Sequence, residues 1–246
     1  MTMSMPKETS EKLEAFRAGV ASVAEDIIFR VFPAKTFELS SIIDGANAPD
    51  SPYSVSHAPA STDPRVYPPP NSPDPNGPSS KRKRVEDGIV LLTNDIANAK
   101  YPELVHANKH ILKLQETIKA ECAQLSDSCD KVKLWVNLTM PKCVLNVSST
   151  QQVLSELLRS QESAYNIRDS VRQNYLARAK ICSKLIKYPN IEDYTLALKE
   201  HDEKQLFFAR QNLVDIRNVY AVMTDILHKN MSKIRSPRGN NRAGLY

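Results

Sequence analysis

The chain has 246 residues, a hydrophobic fraction of 41% and a formal net charge of +5 at pH 7. These values allow a buried core in one or two domains, and so mild a charge is not typical of a dedicated nucleic-acid-binding protein. No apolar run approaches the ~18 residues of a membrane span, and residues 1–12 lack the apolar run of a secretory signal peptide. The four cysteines form no CxxC pair, so we predict reduced thiols in an intracellular protein.

The first predicted helix belongs to residues 1–44. Apolar side chains recur there at helical spacing, and Pro33 is expected to end or kink the helix. These apolar residues are Leu13, Phe16, Val20, Val23, Ile27 and Val31. Residues 45–101 are then predicted to be a flexible insert. Ten of the sixteen prolines lie between Pro49 and Pro78, and the segment has little apolar surface to offset the entropy cost of ordering.

The insert contains a run of four cations: Lys81, Arg82, Lys83 and Arg84. Four consecutive positive charges on a solvated segment can enter the groove of an import receptor as an extended peptide, so the run predicts a nuclear-import motif. The alternative is a solvated charge run or a weak phosphate-binding patch.

Three further helices are predicted within residues 102–235. The first is expected to start near Pro102, a residue suited to the first helical position, and Pro141 and Pro189 end the first two. Their apolar positions keep helical spacing. They are Leu104, Ile111, Leu114, Ile118, Leu125, Val132 and Val136 in the first; Val153, Leu157, Ala164, Ile167, Val171, Tyr175, Cys182 and Ile186 in the second; and Leu206, Ala209, Leu213, Ile216, Tyr220, Met223, Leu227 and Ile234 in the third. The predicted fold is an all-α, four-helix up-down-up-down bundle with a flexible tail at residues 236–246.

Catalytic chemistry finds no support in the sequence. No glycine occurs between Ile89 and Arg238, which excludes a phosphate-binding Gly-rich loop from the helical body. His106 and His110 have the spacing of a zinc pair, but Ala107 follows where a metalloprotease needs Glu. We therefore predict that the protein is not an enzyme and has no catalytic residue, no metal site and no cofactor.

Several blocks of sequence, in order, resemble the REG (11S) proteasome activators, and the gamma type in particular. They are FRAGVASVAEDIIFRVFPAKTFEL at residues 16–39, KVKLWVNLTMPK at 131–142, YLARAKICSKLIKYPNIEDY at 175–194, and the closing Leu245-Tyr246. The basic run in the insert also favours the gamma type.

The resemblance implies a ring, a heptamer of identical four-helix subunits, that docks on the alpha ring of the core (20S) proteasome and stimulates peptide hydrolysis without ATP. The implied docking tail is Ala243, Gly244, Leu245 and Tyr246. The implied gate-opening activation loop is Lys142, Cys143, Val144, Leu145, Asn146, Val147 and Ser148. It also implies a location in the nucleus, with some protein in the cytoplasm, and no membrane or specific nucleic-acid partner.

Two alternatives remain open at this point. The activation loop is shorter than in the family pattern, which motivates a nuclear cap or adaptor that docks on the proteasome without opening its gate. The basic run by itself would also fit a helical nuclear scaffold that binds nucleic acid, for which binding should fall steeply with salt.

Overall fold

The computed structural model describes residues 5–69, 103–140 and 148–235. Within these ranges the secondary structure is helical apart from one isolated β-bridge, so the all-α prediction is confirmed. The helices are α1 (Lys7–Asp26), α2 (Phe32–Asn47), α3 (Ala58–Ser61), α4 (Lys109–Thr139), α5 (Ser148–Lys187) and α6 (Glu192–Arg235), with a π-helical turn at Ile27–Val31 and a 3-10 turn at Val55–His57. At the usual rise per residue, α6 is about 66 Å long.

The first helix passes through Pro33 without a break. A proline removes one backbone donor and its ring crowds the carbonyl of the preceding turn, which is why a kink or an end was expected. The π-helical turn Ile27–Val31 comes immediately before it, and the Phe32 N–H bonds the carbonyl of Ile27, five residues back. The wider π turn accommodates the proline, so α1 and α2 form one helical run.

The chain divides into two compact units. Among the described residues, the first unit holds residues 5–51, 114–140, 148–171 and 209–235. The second holds residues 52–69, 103–113 and 172–208.

Contacts within the first unit fix the direction of its four helical segments. Residues early in α1–α2 contact residues late in α6, as in the Glu25–Arg235 ion pair, while later residues contact earlier ones, as in the hydrogen bond from Arg210 to Asn47. The run α1–α2 is likewise antiparallel to α4, and α4 is antiparallel to α5. The predicted up-down-up-down bundle is therefore confirmed.

The apolar positions predicted for the last helix are all buried in α6, from Leu206 to Ile234. Most of those predicted for α4 and α5 are also buried, but Leu104 precedes α4 and is exposed, and Tyr175 is exposed on α5. The burial predicted for the first helix is only partly confirmed: Ile27, in the π-helical turn, is buried, whereas Phe16 and Val23 on α1 are 54% and 47% exposed. The exposed part of that stripe forms the groove described below.

Buried polar groups interrupt the core of the first unit around Tyr220. Lys35 Nζ donates to Glu121 Oε1 at 2.9 Å, and both side chains are largely buried. The ring of Tyr220 packs against that of Phe32 at a centroid distance of 5.6 Å, and its hydroxyl is buried with no hydrogen-bond partner in the described part of the chain. Burial raises the pKa of this hydroxyl far above its usual range, so the group stays neutral.

Replacing Tyr220 by Phe tests this account of the core. The substitution removes a buried hydroxyl that makes no bond and keeps the ring, so we expect the free energy of unfolding to stay the same or rise by up to about 1 kcal/mol. Tyr220→Ala, which also removes the ring, should lower it by about 3–5 kcal/mol. Urea unfolding followed by circular dichroism, at one protein concentration, measures both; a loss above about 1 kcal/mol for Tyr220→Phe would show that the hydroxyl is bonded.

Candidate functional site

Most of the predicted site residues lie outside the described residues. This applies to the docking tail, Ala243 to Tyr246, to the import motif, Lys81 to Arg84, and to residues 142–147 of the activation loop. Ser148, the last residue of that loop, is the first residue of α5. What the structure does describe is the helical framework from which the loop and the tail depart.

The last part of α4 and the end of α6 both lie beside α1 in the first unit. Val20 and Val23 of α1 line an open groove together with Lys131 and Leu134, which lie near the end of α4. Two residues after Val23, Glu25 Oε1 accepts a hydrogen bond of 2.8 Å from Nε of Arg235, the last residue of α6. The ends of α4 and α6 are therefore brought to the same end of this unit.

The last turns of α6 are held in place by their side-chain contacts. Met231 and Ile234 are buried, and the guanidinium of Arg235 lies 5.7 Å from the ring centroid of Phe29. The Phe29 ring in turn packs against His228 at 4.9 Å. The Arg235–Glu25 pair is partly exposed and contributes at most about 1 kcal/mol, so the buried apolar side chains supply most of the anchoring.

The two helices that flank the activation loop are fixed to each other. Lys133 Nζ on α4 donates to Gln161 Oε1 on α5 at 2.6 Å, and Gln161 Nε2 donates to the carbonyl of Ser126 at 3.1 Å. Lys133 also bonds Asp130 and, with Gln161, lowers the pKa of that carboxyl. With Trp135 buried close to the end of α4, both ends of the loop start from fixed helices.

The second unit contains a buried ion pair that the sequence did not predict. Arg178 on α5 donates to both carboxylate oxygens of Asp202 on α6, at 2.9 and 3.2 Å, and to the carbonyl of His106 at 3.0 Å. Thr62 Oγ1 donates to Asp202 Oδ2 at 3.0 Å. Asp202 is 1% exposed, so these donors replace the hydrogen bonds that its carboxylate would make with water.

Asn108 connects this ion pair to the start of α4. Its Oδ1 accepts hydrogen bonds from the backbone N–H groups of His110 and Ile111, and its Nδ2 donates to Ser61 Oγ at 3.1 Å. Asn108 thus caps α4, which begins at Lys109; the predicted start near Pro102 is wrong, since residues 103–108 are not helical. An Asn just before an apolar helical pattern is the signal that could have located this start.

The two flanks of residues 70–102 meet in the second unit. Tyr67 and Leu104 exchange backbone hydrogen bonds of 2.8 and 2.9 Å in an antiparallel bridge. The Tyr67 hydroxyl donates to Asp63 Oδ2 at 2.6 Å, and this bond lowers the pKa of Asp63. The first flank, residues 52–69, and the second, residues 103–108, are therefore joined to each other as well as to the ion pair.

The structure gives no support to metal or thiol chemistry in the residues it describes. His106 precedes α4, so the helical spacing to His110 does not apply, and each ring packs against a tyrosine, Tyr67 and Tyr53 respectively. No group of three or more potential metal ligands occurs in the described ranges. Burial raises the pKa of both the Cys122 and Cys129 thiols to about 12, which makes them unreactive. None of the described helices is long and apolar enough to cross a membrane.

Comparison with known proteins identifies relatives along nearly the whole chain. The family described as "Proteasome activator PA28, C-terminal" matches residues 104–244. The human "Proteasome activator complex subunit 3" is 29% identical over 252 residues, which cover 99% of this chain and 98% of the relative. "Proteasome activator 28" of Dictyostelium discoideum is 22% identical, over 70% of this chain and 75% of the relative.

A solved structure agrees with the sequence relatives. It is the crystal structure of the 11S subunit of the Plasmodium falciparum proteasome, PA28, which is 26% identical and superposes with a TM-score of 0.71 over 97% of this chain and 99% of that one. The fold and the sequence blocks therefore point to the same family.

Arg178→Met should destabilise the protein strongly, because the buried side chain of Asp202 would lose its main partner. We expect a loss of about 3–5 kcal/mol in the free energy of unfolding. The double variant Arg178→Met with Asp202→Leu removes both charges and should lose clearly less. Chemical unfolding of the single and double variants measures this difference, and equal losses would show that the buried charge is not the cause.

Proposed function

Because the chain belongs to the PA28 family of proteasome activators, we propose that it is an ATP-independent activator of the core (20S) proteasome and is not itself a protease. The observation that carries the proposal is where α4 and α6 end. Lys131 and Leu134 near the end of α4, and Arg235 at the end of α6, all lie beside residues 16–25 of α1, so both helices end at the same end of the first unit. One surface of the subunit can then present a docking tail and an activation loop to the same partner.

We assign docking to the C-terminal tail, Ala243 to Tyr246, on the alpha ring of the core proteasome. Leu245 and Tyr246 can enter an apolar pocket, and the terminal carboxylate can accept a charge-assisted bond from a lysine there. A single tail binds weakly because it loses conformational freedom on docking. Several tails on one ring bind strongly, since each bound tail raises the effective concentration of the next.

Assembly into a ring of identical subunits, a heptamer, is supported by the exposed apolar side chains. Large apolar residues lie exposed on every long helix, and Phe37 on α2 is 74% exposed. Exposed apolar surface of this kind is typical of protein interfaces. Others on α4, α5 and α6 are Leu112, Leu158, Tyr165, Leu176, Leu196, Phe207, Phe208 and Val222. The relatives are themselves named as subunits of a complex or of the proteasome.

Gate opening is assigned to the loop Lys142 to Ser148. The hydrogen bonds that join α4 to α5 support this role, since a loop can displace a partner's residues only if its own ends are held. The second candidate is a REG-like cap that docks without opening the gate, and the short loop favours it. The two candidates share the docking step and differ in stimulation of hydrolysis.

Removing Leu245 and Tyr246 tests docking and activation together. Purified core proteasome should hydrolyse a fluorogenic peptide faster with the intact protein, and the truncation should reduce this stimulation by about tenfold or more, because every tail on a ring loses its apolar contacts. Asn240→Ser with Asn241→Ser is the control, since it changes the same tail and keeps its end.

Co-sedimentation with the core proteasome separates the remaining outcomes. Binding without stimulation by the intact protein would identify the non-opening cap. Equal binding by the intact and truncated proteins would show that the tail does not dock, and no binding by either would exclude the proteasome as the partner.

We assign nuclear import to the basic motif, which would be bound by an import receptor. Changing Lys81, Arg82, Lys83 and Arg84 to Ala should move a fluorescent fusion from the nucleus to the cytoplasm, because the receptor groove recognises the consecutive cations. Lys7→Ala with Lys12→Ala, which removes exposed cations from α1, is the control. An unchanged nuclear signal in the four-alanine variant would contradict the assignment.

A further inference from the structure

An apolar groove lies between α1 and α4 in the first unit. It is lined by Phe16, Gly19, Val20, Val23, Lys131 and Leu134, and its volume is about 330 Å³. Phe16, Val23 and Leu134 are each more than 40% exposed. Within residues 5–69, 103–140 and 148–235, nothing covers the apolar stripe of α1 at this point. We call this site the α1–α4 groove.

We propose that the α1–α4 groove binds the end of the chain's own tail, Leu245 and Tyr246, and so withholds the tail from a docking partner. The tail's binding to the groove is independent of the proposed function, while its regulatory meaning rests on that function. The groove would then compete with the proteasome pocket for the same two side chains.

The position of Arg235, the last residue of α6, supports the tail as the occupant of the groove. The tail follows Arg235, which is bonded to Glu25, and Glu25 is only two residues after the groove residue Val23. Residues 236–246 can extend over about 35 Å. A path around α1 needs about one helix diameter, roughly 10 Å, so the tail reaches the groove with length to spare.

The size and polarity of the groove match the tail's end. A volume of about 330 Å³ lies at the lower limit of small-ligand pockets, which suits one or two side chains, whereas a neighbouring subunit would need a far larger surface. The one charged lining residue, Lys131, is a cation that can bind the terminal carboxylate. The ion pair between Lys131 and Asp127 on α4 is half exposed and weak. Lys131 therefore loses little stabilisation when it binds the terminal carboxylate instead of Asp127.

Weak binding is sufficient to hold the tail in the groove, because both belong to the same chain. A short connection between two binding groups gives an effective concentration in the millimolar range, so a millimolar affinity would keep about half of the tails in the groove. The apparent affinity for a docking partner falls in proportion to the fraction of free tails, and the effect is repeated for each tail of a ring.

Gly19 allows the groove to be filled without disturbing the subunit. A Cβ at Gly19 would meet nothing within 4 Å, and the same is true of Gly45 on α2. Gly19→Leu therefore places a side chain in the groove, and Gly45→Leu is a matched control for the loss of glycine in a helix. Circular dichroism confirms that both variants keep their helices.

The test is the rate at which carboxypeptidase releases Tyr246 from the full-length protein, followed by mass spectrometry. A tail held in the groove is protected, so Gly19→Leu should speed release about two- to fivefold and Gly45→Leu should not change it. Lys131→Glu, which repels the carboxylate, should also speed release and supports the proposal if Gly19→Leu folds poorly.

Two results would overturn the proposal. Equal release rates in the native protein, Gly19→Leu and Lys131→Glu would show that the groove does not hold the tail. A lower assembly mass for Gly19→Leu alone, measured by light scattering, would show that a second copy covers the groove. The carboxypeptidase assay contains no proteasome, so its result does not depend on the proposed function. The groove proposal can fail while stimulation of peptide hydrolysis is observed, and it can hold when no stimulation is observed.

Discussion

The apolar stripe of α6 is the constraint on which the first unit depends. A single helix cannot shield a row of side chains such as Leu213, Tyr220 and Leu227 from water, and burying each of them contributes about 1.5–3 kcal/mol. The run α1–α2 covers this stripe in the antiparallel direction. Because the same run also contacts α4 in the antiparallel direction, α4 and α6 end at the same end of this unit. Packing of the core thus decides where these two helices end.

The second unit relies on a different interaction. The bidentate pair of Arg178 and Asp202 is buried, and desolvation of both charges offsets much of their attraction, so the pair is more valuable for geometry than for stability. Thr62 and the carbonyl of His106 complete its hydrogen bonds. Since these two groups belong to opposite flanks of residues 70–102, one ion pair fixes where that segment leaves the helices and where it returns.

Exposed apolar surface links the single subunit to its proposed assembly and regulation. Side chains such as Phe37 and Phe207 are exposed in the described part of the chain, as expected if the protein works as part of a ring. The α1–α4 groove differs from this surface because it is small and concave and contains a lysine. We therefore separate surface that fits another subunit from a groove that fits the end of a peptide.

Helical periodicity in the sequence was enough to predict the long helices and most of their buried residues. From Leu206 to Ile234 every predicted position of α6 is buried, because a long uninterrupted pattern has one face that must avoid water. The tail and loop assignments came from the resemblance to a family, since neither segment has a periodic pattern of its own. The family comparison supports that resemblance, while the roles of the individual residues remain proposals.

Tertiary structure decided the features that depend on residues distant in the sequence. Whether Phe16 and Val23 are covered depends on which helices lie beside α1, and passage through Pro33 depends on a π-helical turn that periodicity does not show. The contact between Thr62 and Asp202 joins residues 140 positions apart. A sequence pattern reports the preference of each segment for water or for a core, but only packing determines which segments meet, because many arrangements satisfy the same preferences.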